Sequence, residues 1–112
     1  MDTFETIFNR RSIRKYTGET VPRPVLEKII DAARMAASGN NRQPWEFIVV
    51  TEPELLRRLR IPEDHWIARA GALIAVVMDP ESRLWFEDGA AAVQNILLAC
   101  TALGYVACWL EG

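Results

Sequence analysis

Apolar residues recur along this chain in two rhythms, one close to 3.6 residues and one of short unbroken runs. Phe4, Ile7 and Phe8 share one side at helical spacing and predict a short helix over 3–9. Thr17-Gly18 and the Pro22/Pro24 pair mark a loop. Pro24 suits the first turn of a helix, where a missing N–H costs nothing. Val25, Leu26, Ile29, Ile30, Ala33, Ala36 and Ala37 then trace a stripe that predicts a helix to about residue 37. Ser38-Gly39-Asn40-Asn41 closes it with residues that cap helices or tolerate left-handed backbone.

After Pro44, residues 46–51 (EFIVVT) read as a strand. Pro53 opens a short helix carrying Leu55, Leu56 and Leu59, and residues 61–69 read as loop with a helical turn. The run 72–78 (ALIAVVM) has strand length and is apolar throughout, which predicts burial on both faces. From Glu87 to Leu103 the chain reads as a long helix, apolar on most sides, with Gln94 and Asn95 as polar intrusions. Such a helix must be covered on most sides, and in so short a chain a subunit interface is the expected cover. Gly104 caps it, and residues 105–110 return to extended structure. The predicted order is helix, helix, strand, helix, strand, long helix, strand, within one domain spanning 1–112.

Composition narrows the class. The chain has 112 residues, half of them hydrophobic, with 13 basic and 15 acidic groups and a formal charge of -2. That is enough apolar material for a core, and it excludes a disordered chain. The slight acidity argues against a nucleic-acid binder. Two cysteines and a single histidine make neither a disulfide framework nor a metal site, and reduced thiols in the cytoplasm are expected. The N-terminus is charged where a secretory signal would be apolar, and the longest apolar run is too short to span a bilayer.

Charge is unevenly placed. Arg10, Arg11, Arg14 and Lys15 fall within six residues, with no acid between Glu5 and Glu19. In extended backbone Arg10, Ser12 and Arg14 project to one side, offering two guanidinium forks and a hydroxyl to a phosphate or polyol. The plainer alternative is a solvated turn whose arginines pair with surface acids. The second constellation, Ser38-Gly39-Asn40-Asn41-Arg42-Gln43-Pro44-Trp45, suits a flat heterocycle with donors and acceptors at its rim. On residue types alone, a capped helix end with Trp45 in the core is the slightly favoured explanation.

RRSIRKYT, ASGNNRQPWEFIVV and DGAAAVQNILLACTALGYVACWLEG, in that order and spacing, together resemble the FMN-dependent nitroreductase family. The resemblance implies an α+β fold with a central mixed or antiparallel sheet flanked by helices. It implies a homodimer around long helices, with FMN at the interface. Arg10, Ser12 and Arg14 match positions contacting the phosphate, ribityl chain and pyrimidine edge, with Arg11 adding a backbone or phosphate contact. Ser38, Gly39, Asn40 and Asn41 match the loop that the partner lays on the flavin, although Ala37 stands where a proline is usual. Glu111 and Gly112 match the backbone approach to N5 and O4, where Gly112 brings no Cβ.

The implied chemistry is two half-reactions. NAD(P)H gives a hydride to flavin N5 and leaves, then a nitroaromatic or quinone-like acceptor takes the reducing equivalents, with no catalytic side chain needed. The alternatives are a non-catalytic flavin-binding or dimerisation module, or a relative that consumes flavin, dehalogenates or oxidises azolines. Family members usually continue past the position of Gly112 with a further strand and an arm, so the chain reads as a fragment or a short member.

Overall fold

The computed structural model describes residues 1–59 and 62–110. Six regular elements follow one another: α1 (Thr3–Asn9), α2 (Arg23–Arg34), β1 (Trp45–Val50), α3 (Pro53–Leu59), β2 (Leu73–Met78) and α4 (Trp85–Ala102). Short 3-10 segments cover Gly39–Asn41 and Pro62–Arg69.

Local chemistry explains most of the boundaries. Asp2 caps α1 by accepting the Glu5 N–H at 2.9 Å, and Pro22 and Pro24 launch α2. That helix stops at Arg34, three residues before its apolar stripe runs out. There the Ala36 N–H turns to the Ala33 carbonyl, and the Asn95 side chain takes the carbonyl of Ala32. At the far end of α4, Gly104 adopts φ +83°. Tyr105 N–H then bonds the Cys100 carbonyl at 2.8 Å and Gly104 N–H that of Thr101 at 3.2 Å, a Schellman closure.

β1 and β2 form an antiparallel pair, with Trp45 opposite Met78 and Val50 opposite Leu73. Phe47, Ile74 and Val76 pack on a cluster formed by Ile29 and Ala33 of α2 and Ile96 and Cys100 of α4. Ile29 is 2% exposed and Ala33 fully buried. A buried large aliphatic side chain of this kind contributes roughly 1.5–3 kcal/mol. Helices on one face of an antiparallel sheet make the fold α+β, as expected.

Three expectations change. Burial of the second strand is incomplete, because Val77 and its neighbour across the ladder, Glu46, are exposed while the other five strand residues are half-buried. The extended segment after Gly104 makes one parallel bridge, Ala107 with Ser12, rather than a strand. Finally, the chain itself covers most of α4, leaving Trp85, Phe86, Glu87, Gln94 and Ala102 open. The larger apolar surplus lies on α1: Phe4, Ile7 and Phe8 face outward, and Thr6 is its buried residue.

Candidate functional site

The basic segment leaves α1 in extended form, since Arg10, the residue that ends the helix, has φ -61° and ψ 134°. Ile13 N–H donates to the Ala107 carbonyl at 3.1 Å, which holds Ser12 in register beside Ala107. Ile13 is half-buried, while Ser12 and Arg14 are exposed and Arg10 is half-exposed. Arg11 and Lys15 are exposed as well, so exposure does not divide the segment into two alternating sides. Among the described residues no carboxylate forms an ion pair with Arg10, Arg11, Arg14 or Lys15. Arg11 stands apart: its Nη1 donates to the carbonyls of Phe8 and Arg10 at 2.7 and 2.8 Å, closing the end of α1.

The loop after α2 is tightly organised. Ser38 Oγ accepts the Gln43 N–H at 3.0 Å, and the Ser38 carbonyl accepts the Asn41 N–H at the same distance. Asn40, Asn41 and Gln43 have φ near +52° to +55°, a left-handed backbone that asparagine tolerates better than most residues. Asn40 and Asn41 are exposed, and among the described residues no hydrogen bond engages their side-chain amides. Trp45, just beyond, is buried at the start of β1. The frame of the loop is therefore structural, and among the described residues the side-chain amides of Asn40 and Asn41 take no part in it.

One contact at this loop has no counterpart in the sequence reading. Gly39 N–H donates to Oδ1 of Asp88, 49 residues later, at 3.1 Å. The signal for it in the sequence is a carboxylate in the first turn of a mostly apolar helix, where Glu87 is its acidic neighbour. Asp88 therefore ties the loop to the beginning of α4, whereas the 10–14 segment meets the chain just after the end of α4. Glu111 and Gly112 lie outside the described residues.

Behind the basic segment lies an apolar cavity of about 450 Å³, bordered by Tyr16, Trp66, Val76, Ile96, Cys108 and Trp109. Trp66 stacks edge-on against Tyr16 at 5.9 Å. Burial, with the nearby Cys108 thiol adding to it, pushes the Tyr16 hydroxyl up to about 12. Burial alone pushes the Cys100 thiol up to about 11, so it stays protonated and serves as packing.

Comparison with known proteins follows the same pattern. The profile described as the nitroreductase family matches residues 7–62, which include both candidate segments. An Archaeoglobus fulgidus protein named "Putative NADH dehydrogenase/NAD(P)H nitroreductase" is 37% identical over 116 residues, covering 97% of this chain and 67% of its own. Iodotyrosine deiodinase 1 of Rattus norvegicus is 40% identical over 57 residues, 51% of this chain and 20% of its own length. Among solved structures, an FMN-dependent nitroreductase from Clostridium difficile R20291 superposes with a TM-score of 0.90 at 33% identity, over 97% of this chain and 66% of that one. The chain thus spans about two thirds of the longer matches. With the profile on both candidate segments and the fold shared across nearly the whole chain, this protein belongs to the nitroreductase family.

Proposed function

We propose that this chain is a subunit of an FMN-dependent oxidoreductase in which two copies enclose each flavin. The observation that carries the reading is the division of the candidate flavin-binding groups between the two ends of α4. Ser12, between Arg10 and Arg14, pairs with Ala107, while Gly39, between Ser38 and the Asn40-Asn41 pair, is bonded to Asp88. Asp88 and Cys100, the α4 residues that anchor the two regions, are about 18 Å apart along the helix axis at 1.5 Å per residue. A twofold arrangement would bring one chain's loop to the other's basic segment, completing a site neither holds alone. The outward face of α1, with Phe4 at 70% and Phe8 at 69% exposure, supplies apolar surface for such an association.

These donors fit FMN. Arg10 and Arg14 would hold the phosphate and the pyrimidine edge through charge-assisted hydrogen bonds, with Ser12 on the ribityl chain. Arg11 keeps further N–H groups beyond the one that closes α1. Asn40 and Asn41 of the partner copy would meet the ring, and the backbone at Glu111 and Gly112 would approach N5 and O4. Bound FMN supplies two-electron redox chemistry at N5. The protein's part is to place and neutralise it, leaving one ring face open first to NAD(P)H and then to a nitroaromatic or quinone-like acceptor. A ping-pong order follows from that single face, and the expected compartment is the cytoplasm.

The deiodinase similarity favours reductive dehalogenation as a second reading. Anaerobic titration of the purified protein with NADH or NADPH separates the possibilities. A yellow protein that bleaches, then regains colour with a nitroaromatic or a quinone, supports the first reading. Recovery with a halophenol alone supports the second. A yellow protein that does not bleach indicates a flavin-binding module, and a colourless monomer overturns the proposal.

A further inference from the structure

Asp88 is 5% exposed, yet among the described residues one of its two oxygens has no hydrogen-bond partner. Oδ1 accepts the Gly39 N–H, whereas Oδ2 is buried without a hydrogen-bond partner among the described residues. A carboxylate so placed is a poor way to fill space, since an apolar side chain would pack there without a desolvation cost. Its position in the first turn of α4 offsets part of that cost through the helix dipole. Among the described residues it is not half of an ion pair. Its committed bond is the one to Gly39.

Gly39 is held from a second side as well. A Cβ there would lie 2.7 Å from Leu84 Cδ1, so the backbone rests directly against that side chain. The next two residues, Asn40 and Asn41, adopt the left-handed backbone at φ 52° and 55°. Such conformations persist in residues other than glycine when their surroundings over-determine them. The Asp88 bond and the Leu84 contact supply that constraint at the loop's first residue.

We propose that Asp88 is a positioning residue for flavin binding: by fixing the Gly39 amide it sets the Asn40-Asn41 turn in its ligand-facing form before the flavin arrives. This rests on the flavin reading above. Preorganisation of this kind raises affinity by removing the ordering cost from the binding step. Asp88→Asn retains an oxygen for Gly39 and puts an amide where Oδ2 now accepts nothing, so it should preserve the loop. Asp88→Ala removes the acceptor.

The test is FMN affinity by flavin fluorescence quenching, together with hydrogen exchange of the Gly39 amide in the flavin-free 112-residue protein. Asp88→Ala should weaken FMN binding by about tenfold or more and accelerate Gly39 exchange, the loss of one charge-assisted hydrogen bond. Asp88→Asn should remain within about threefold of the parent in affinity, since the neutral acceptor replaces the charged one. Equal affinity in parent and Asp88→Ala overturns the inference alone. So does unchanged Gly39 exchange in that variant. Failure of the unmodified protein to take up FMN overturns the flavin reading itself, and this inference with it.

Discussion

The side chain of Asn95, midway along α4, donates to the carbonyl of Ala32 in the last turn of α2, 63 residues earlier in the chain, at 2.8 Å. The bond satisfies a helix-end carbonyl in a partly buried setting and fixes where α2 releases the chain toward Ser38. Asn95→Ala should cost about 0.5–1.5 kcal/mol in urea unfolding. Hydrogen exchange should rise at residues 35 and 36, where α2 tightens into its final turn. An unchanged midpoint would mean that the Met35 N–H, which shares this carbonyl, is sufficient by itself.

Ile29 faces Ala33, Ile96 and Cys100 at the centre of the core. Ile29→Val should cost about 0.5–1.5 kcal/mol and Ile29→Ala about 2–5 kcal/mol, the second leaving a cavity that the helix pair cannot close. Chemical denaturation with a common slope is the appropriate measurement. Equal costs for the two variants would contradict the tight packing described for this cluster.

Cys100 links stability to alkaline pH. Its thiol is raised from 9.0 to about 11 by burial, so between these values the unfolded chain gives up a proton that the folded chain keeps. The contribution is fully present below about pH 9 and is lost as pH rises toward 11. The melting temperature should therefore fall more steeply across that interval in the parent than in Cys100→Ala. Parallel slopes would count against a buried, protonated thiol.

Arg10→Ala combined with Ser12→Ala removes a guanidinium and a hydroxyl from the same side of the basic segment while leaving the Ile13–Ala107 bond in place. FMN binding should weaken by roughly a hundredfold, as expected when charge-assisted contacts to phosphate are lost. Melting of the flavin-free protein should move by no more than a few degrees. Unchanged flavin occupancy in the double variant would rule out this assignment of the site.

What the sequence by itself determined was the local grammar of this protein. The 3.6-residue stripe of α2, the apolar length of α4 and the glycine that closes it all follow from backbone geometry over a few residues. The tertiary structure decided what each face meets. Periodicity shows that Phe4, Ile7 and Phe8 share a side but not that the side points outward. Strand-like residues after Gly104 form a single bridge to Ser12, because an extended segment becomes a strand only when a neighbour lies along it. The contacts of Asp88 with Gly39 and of Asn95 with Ala32 join residues 49 and 63 positions apart. Such pairs are created by the packing of α2 on α4, and no pattern within either helix encodes them.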